Sequence, residues 1–458
     1  MDSKDVIAAI STPPGEGGIG IVRISGTGSI SLADKCIELS SRKSLQKIEK
    51  NKLCHGFVVD KNKQVVDEVL VSIMKSPHSF TAEDTVEINC HGGPIALRKT
   101  LELAINNGTR LAQPGEFTKR AFLNGRIDLT QAEAVAEIIA AKSKQALSVA
   151  AGQVAGKLSQ RINGIRSLVL EALTQVEVAV DFSDDEPDVL PGREIKKSLK
   201  STRKELERLI ESYDNGRLLK DGVLTVIAGP PNVGKSSILN ALIKHEKAIV
   251  TEIPGTTRDL IEETVNIKGV PLIIRDTAGV RKPKDIVEEI GVKKAKQSVD
   301  EADLVLIVVD GSSNCKKELK KMAKLSAGQK TIIVLNKKDL GLKINCKDAL
   351  KMTGGVHCEE TSAKTDEGID ALEKAINDVV YKKQITPKET IVTNLRHHEL
   401  LIESSGQLKE ALGKINSEPE EITAIFLRGA LAALDKITGK DFQSDLLNSI
   451  FENFCIGK

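Results

Sequence analysis

Gly229-Pro230-Pro231-Asn232-Val233-Gly234-Lys235-Ser236 follows the β-branched run Val223 to Ala228 and precedes Ser237-Ile238-Leu239-Asn240-Ala241-Leu242, whose apolar spacing predicts a helix. A strand, a glycine-bounded loop and a helix make a phosphate cradle. The glycines let backbone N–H groups turn inward, Lys235 sets a point charge on β/γ oxygens, and Ser236 offers its hydroxyl to Mg²⁺. The bland alternative is a purely structural glycine-rich turn, and the strand-loop-helix context argues against it.

Three further elements follow in the order that a guanine-nucleotide domain requires. Asp276-Thr277-Ala278-Gly279 closes the strand around Leu272-Ile273-Ile274, where the aspartate can hold Mg²⁺ through water and the Gly279 N–H can approach a γ-phosphate. Asn336-Lys337-Lys338-Asp339 closes another strand, and the Asp339 carboxylate can accept from the N1 and N2 donors of guanine, which adenine lacks. Ser362-Ala363-Lys364 completes the base pocket. The four motifs together predict GTP, with ATP the weaker alternative. Val280 follows the Asp-x-x-Gly element where many small GTPases place glutamine, and valine cannot orient a water. Arg281 to Gly291 carries Asp285, Glu288 and Glu289, any of which could supply a carboxylate, while at least two of them are ordinary loop charges.

The surrounding chain is long enough for two to four domains at 458 residues. It is 40% hydrophobic and 28% charged with a net charge of +2, which fits a globular protein and does not by its bulk charge point to nucleic acid. Any such contact needs a local patch, and with no Trp and two Tyr it is not an aromatic stacking platform. The seven cysteines never form C-x-x-C, so reduced thiols in a cytoplasmic protein are expected. No apolar segment follows the charged N-terminus and the longest apolar run is Leu304 to Val309, so no stable membrane insertion is expected.

Residues 1–118 read as short strands and turns, such as Ile19 to Ile24 after Pro13-Pro14-Gly15, in a mixed α/β domain. From 119 to 216 the spacing turns helical, as in Ala132, Val135, Ile138 and Ile139, and the acidic run Asp181 to Asp188 reads as an interhelical loop rather than a metal site. Residues 217–380 alternate strands and helices as a mostly parallel α/β sheet, and 381–458 are helical again. The nucleotide domain is thus expected to be inserted into one helical domain.

Thr12 to Gly26, Cys90-His91-Gly92-Gly93-Pro94, Pro114-Gly115-Glu116-Phe117, Gly255-Thr256-Thr257-Arg258-Asp259 and the terminal Cys455-Ile456-Gly457-Lys458 carry a resemblance over essentially the whole chain. The sequence resembles the MnmE (TrmE) family of bacterial tRNA-modification GTPases. That resemblance implies a folate-binding-like N-terminal α+β domain, a helical domain and an inserted Ras-like P-loop G domain. It implies a homodimer held by the N-terminal domains, whose G domains pair when GTP and K⁺ are bound. It also implies tRNA and an FAD-dependent MnmG-like protein as partners, in a heterotetramer or larger complex that installs carboxymethylaminomethyl or aminomethyl groups at C5 of the wobble uridine.

Carried onto this sequence, the family's GTP site takes Asn232, Val233, Gly234, Lys235, Ser236, Ser237, Thr251, Glu252, Ile253, Pro254, Gly255, Thr256, Thr257, Asp276, Thr277, Ala278, Gly279, Asn336, Lys337, Asp339, Ser362, Ala363 and Lys364. Mg²⁺ would take Ser236 and Thr257, and K⁺ would take Asn232, Thr251, Ile253 and Thr256 in place of an arginine finger. The water-orienting carboxylate falls on Glu288, and Arg281 is a further catalytic candidate. A reduced folate, 5-formyl- or methylene-tetrahydrofolate, maps to Arg23, Glu87, Arg126 and Lys458, although read alone the two arginines are surface or salt-bridge residues. Cys455 is either packed on the stripe Leu446, Leu447, Ile450, Phe451 and Phe454 or a catalytic thiol. Two rivals stand beside this reading: a ribosome-assembly GTPase switch without modification activity, and a folate-binding scaffold with a degenerate G domain.

Overall fold

A computed structural model describes residues 5–49, 52–181, 192–246, 262–276, 296–355, 357–381, 389–442 and 444–458, with backbone alone for 181, 245–246, 262–263 and 275–276. Two compact units interleave along the chain: Met1–Ile139 with Gly152–Leu199 and Gly406–Lys458, and Ala140–Ala151 with Lys200–Ser405.

The first unit is built on β1 (Ile7–Ile10), β2 (Gly17–Ser25), β3 (Ile37–Leu39), β4 (Lys52–Val59), β5 (Val65–Met74), β6 (Thr85–Gly92) and β7 (Arg110–Leu111) in the order β3-β4-β5-β6-β2-β1-β7. Neighbours are antiparallel except for the short β1–β7 pair. Alternation decides which face is covered: Val69, Val71 and Ile73 are buried while Leu70 between them is exposed. Leu97 and Leu103 of the helix Pro94–Asn106 pack onto the buried face. In the helical part, Lys157–Asp181 packs along Glu420–Thr438, and the Arg166 guanidinium grips the Asp435 carboxylate at 2.5 and 3.1 Å. The predicted helical spacing around 132–139 is present as Leu129–Ala140, but its buried residues are Leu129, Thr130, Ala132, Glu133 and Ala134 and Ile139 is exposed. The acidic residues 182–188 lie outside the described residues.

The second unit holds β8 (Val223–Ala228), β9 (Glu262–Ile267), β10 (Val270–Asp276), β11 (Leu304–Asp310), β12 (Thr331–Asn336) and β13 (His357–Glu360) in the order β13-β12-β11-β8-β10-β9. Every pair is parallel except β9–β10. Because crossovers put helices on both faces, the central strands β8, β11 and β12 are nearly continuous apolar runs, whereas the edge strands β9 and β13 are polar in part. Leu304, Leu306 and Val308 point to the side covered by Lys235–Glu246 and Ile369–Val380, and Val305, Ile307 and Val309 to the side covered by Lys316–Leu325 and Cys346–Thr353. Each such fully buried side chain contributes about 2 kcal/mol of transfer free energy. The same unit takes in the segment after 389: the Val392 N–H donates to Ser212 Oγ at 3.1 Å, and the Tyr213 and His398 rings stack at 4.1 Å.

One expectation is corrected here. Cys346, at the start of its helix, and Cys358, in β13, form a disulfide with a Cα–Cα separation of 5.4 Å, so not all seven thiols are free. The pair is 12 residues apart, outside any C-x-x-C spacing, and only the packing of that helix against the edge strand brings it into disulfide range. Cys36, Cys54, Cys90, Cys315 and Cys455 remain free, and burial pushes the Cys36 and Cys90 thiols up to about 11. Among the described residues no helix is long and apolar enough to cross a membrane.

Candidate functional site

The phosphate loop bends because two of its residues take left-handed backbone: Asn232 at φ 61° and Gly234 at φ 94°. At Gly234 a Cβ would collide with the Asn336 carboxamide, so glycine is required there by contact as well as by conformation. Asn336 ends β12, is 3% exposed, and braces two neighbours. Its Nδ2 donates to Val233 O at 2.8 Å and its Oδ1 accepts from the Ala363 N–H at 3.1 Å. One side chain therefore links the phosphate loop, the Asn-Lys-Lys-Asp loop and the Ser-Ala-Lys loop. Asp339 is exposed at the rim, with Oδ1 accepting from Ser362 Oγ at 2.7 Å, and the Lys338 N–H donates to Thr361 O at 2.9 Å. Lys235 opens the helix Lys235–Glu246 and folds across its own loop, donating to Gly229 O at 3.0 Å and Pro230 O at 2.7 Å. Ser236 and Ser237 are exposed in the first helical turn, where free N–H groups and the helix dipole favour an anion.

A residue the motif reading missed is Asp310, at the end of β11. Lys337, itself at φ 66°, reaches it with Nζ 2.7 Å from Oδ2, and the Ser312 N–H and hydroxyl donate to Oδ1 at 3.0 and 2.6 Å. Burial pushes the Asp310 carboxyl up, but the hydrogen bonds from Lys337 and Ser312 outweigh it and hold the group below the usual carboxylate range. The signal in the sequence was its place closing an apolar strand, as Asp276 closes β10. Asp276 pairs in register with Ile227 of β8, and its side chain is not among those described. Thr251 to Thr257, Thr277 to Val280, Arg281, Asp285, Glu288 and Glu289 lie outside the described residues. No cluster of three or more His, Cys, Asp or Glu able to hold a metal occurs among the described residues.

The first unit gathers a second group of candidates. Arg23 of β2 and Glu87 of β6 are cross-strand partners, joined at 2.8 Å and 14% and 22% exposed. The Arg23 guanidinium also donates to Gly457 O at 3.3 Å, and Ser11 Oγ donates to the same oxygen at 3.0 Å. It lies over the rings of Phe80 and Phe117 at 5.7 and 5.5 Å, and Arg126 lies over Phe80 at 5.0 Å. Arg23, Glu87 and the C-terminal tail thus meet directly, and Arg126 joins through Phe80. Phe80, Phe117 and Ser11 had no signal in spacing or composition. Behind them Glu116 accepts from Arg110 at 2.6 Å and from Arg120 at 3.1 Å, and Arg120 also grips Asp5 at 2.6 Å.

The tail itself corrects one alternative. The helix Ser444–Glu452 buries Leu447 and Phe451 and stops before Cys455, which is exposed rather than packed on the apolar stripe. The Gly115 N–H donates to Cys455 O at 3.3 Å, and Lys458, half-buried, follows Gly457.

Comparison with known proteins agrees with this organisation. The profile described as the MnmE helical domain matches residues 129–455, and that of the GTP-binding protein TrmE N-terminus matches residues 6–126. A protein of Carboxydothermus hydrogenoformans named tRNA modification GTPase MnmE is 44% identical over 459 residues, covering 99% of this chain and all of that one. Its namesake in Bacillus subtilis is 44% identical over 458 residues, covering 99% of this chain and all of that one. Among solved structures, the FeoB G domain of Methanococcus jannaschii covers 35% of this chain and 97% of its own, at 26% identity and a TM-score of 0.26, a score too low to bear on the fold. With two family profiles spanning both ends and relatives alike along their whole length, the chain belongs to the MnmE (TrmE) family.

Proposed function

We propose that this chain is a cytoplasmic GTPase of tRNA modification that acts with an FAD-dependent partner to install a carboxymethylaminomethyl or aminomethyl group at C5 of the wobble uridine. The observation that carries the reading is the Asn336 carboxamide, which braces a phosphate loop and a guanine loop against each other in a chain similar over its full length to tRNA modification GTPases. In this reading residues 217–380 are a G domain inserted in a helical domain of 119–216 and 381–458, behind an N-terminal domain of 1–118. The protein works as a homodimer whose G domains pair during the cycle.

Lys235 and the N–H groups of Asn232 to Ser237 hold the phosphates, and the Asp339 carboxylate, steadied by Ser362, accepts hydrogen bonds from the guanine N1–H and N2–H donors. Ser236 and Asn232 are exposed oxygen donors that suit hard cations. Mg²⁺ would be held by Ser236 and Thr257, with Asp276 through water, and K⁺ by Asn232, Thr251, Ile253 and Thr256. When bound, both cations would supply positive charge to offset the negative charge that develops on the phosphates. Glu288 orients the attacking water, which Val280 cannot do, and Arg281 is a further catalytic candidate. In the first unit, two arginines over Phe80 and the Glu87 carboxylate suit the anionic tail and the donor edge of a reduced folate, with Lys458 and Cys455 at the chain end.

The test is nucleoside mass spectrometry of tRNA incubated with this protein, its FAD-dependent partner, GTP, FAD, a methylene donor and glycine or ammonium. A C5-substituted wobble uridine is expected with the intact chain, and little with Glu288→Ala. Its complete absence under every donor would overturn the reading in favour of a ribosome-assembly switch. Steady-state hydrolysis supplies a second measure: exchanging K⁺ for Na⁺, or Glu288→Ala, should slow turnover at least tenfold with nucleotide affinity nearly unchanged, because groups acting mainly on the transition state alter rate more than binding.

A further inference from the structure

The charge of this protein is segregated. Between Lys316 and Thr353 there are eleven lysines against three carboxylates, Glu318, Asp339 and Asp348, a net charge of +8 in a chain whose total is +2. The remainder of the chain is therefore net acidic.

The fold turns this excess into a surface. In the helix Lys316–Leu325, Leu319 is buried and Met322 and Leu325 pack with it on the core, together with Cys315 just before the helix. At about 100° per residue, Lys316, Lys320, Lys324, Lys317 and Lys321 cover an unbroken arc of about 140° on the opposite side. All five are exposed, and none is in an ion pair among the described residues. The helix Cys346–Thr353 packs beside it on the same face of the sheet, through Ala349 and Leu350, and exposes Lys347 and Lys351, with Lys343 exposed just before it. The exposed carboxylates on these two helices are Glu318 and Asp348. Asp300 and Glu301 lie beyond the far end of the first helix, where the Gln329 carboxamide donates to Asp300 O at 2.9 Å.

We propose that this lysine face of the nucleotide-binding unit binds the phosphate backbone of RNA; the proposal rests on the tRNA reading above and locates the contact. Two features favour RNA over other polyanions. No Phe, Tyr, Trp or Arg occurs between residues 316 and 353, so the face lacks both the aromatics that insert into a bilayer and the planar forks that read bases. Lysines alone supply unpatterned point charges, which suit phosphates of any sequence and leave recognition of the uridine to other surfaces. The helix of ten residues is about 15 Å long, enough for its lysines to face more than one backbone phosphate at a time.

The experiment uses the full-length protein and a fourfold variant, Lys317→Gln, Lys320→Gln, Lys321→Gln and Lys324→Gln, none of which belongs to the proposed GTP machinery. Binding to fluorescently labelled unfractionated tRNA is measured by anisotropy between 50 and 250 mM NaCl, alongside GTP affinity and vesicles of phosphatidylglycerol. The variant should bind tRNA at least tenfold more weakly at 100 mM salt, the slope of log affinity against log salt should fall by about 2 to 3, and GTP affinity should be unchanged. Equal tRNA affinity and slope in both proteins would overturn the lysine face while leaving the tRNA reading intact. A wild-type chain that binds no tRNA, or binds only anionic vesicles, would overturn the proposal and count against the tRNA reading as well.

Discussion

Asn336 shows how one buried side chain can set the geometry of a whole site. Replacing it with alanine strips a partner from Val233 O and from the Ala363 N–H. Each buried polar group so orphaned costs about 1–3 kcal/mol, so GTP affinity measured by calorimetry should fall at least tenfold while circular dichroism stays native. Asp339→Asn tests the base pocket separately: it replaces an acceptor by a group that donates, and guanine selectivity over xanthine should be lost in competition binding. Gly457 is the residue on which the tail depends. At φ 91° and with a Cβ that would run into Ile10 O, Gly457→Ala should lift the tail from Arg23 and Ser11. Titration with 5-formyltetrahydrofolate should then show weaker binding, and GTP hydrolysis should be unaffected. Unchanged folate affinity would detach the tail from that site.

At the level of elements, the helix Glu116–Leu123 is pinned by charge from beneath. Burial raises the Glu116 and Asp5 carboxyls, but hydrogen bonds and charge from Arg110 and Arg120 outweigh it and hold both below the usual carboxylate range. With folded values depressed below unfolded ones of about 4, the stabilisation is fully present above about pH 5 and is lost as pH falls through the folded values. The urea midpoint should therefore drop between pH 5 and pH 3, and Glu116→Gln should flatten that drop while lowering the midpoint at pH 7 by an amount equivalent to about 2 kcal/mol. The disulfide between the helix Cys346–Thr353 and β13 makes a second element-scale claim. Unfolded in guanidinium without reductant, the chain should titrate five thiols, and seven after reduction.

At the scale of the whole molecule, the two sets of candidates lie in different compact units, the nucleotide loops in one and Arg23, Glu87, Arg126 and the tail in the other. Arg23→Ala should accordingly weaken reduced-folate binding in calorimetry and leave GTP affinity as it was. Much of this arrangement was legible beforehand. The strands Val223–Ala228, Leu304–Asp310 and Thr331–Asn336 announce themselves as apolar runs that lead into Gly229, Asp310 and Asn336, because a parallel sheet covered on both faces needs unbroken apolar residues and its ligand lies at the carboxyl ends of the strands. The order of the nucleotide motifs is local chemistry: each needs only a loop of particular residues after a strand. By contrast, the pairing of Cys346 with Cys358, the reach of Lys337 to Asp310, the arginines over Phe80 and the exposure of Cys455 left no periodic trace. Each joins residues from separate elements or depends on where a helix stops. Sequence alone determined which segments could cradle phosphate and guanine, since those need short-range spacing. Only the tertiary structure decided which distant side chains meet, because such contacts arise when packed elements bring them together, as when the chain end lies against β1 and β2.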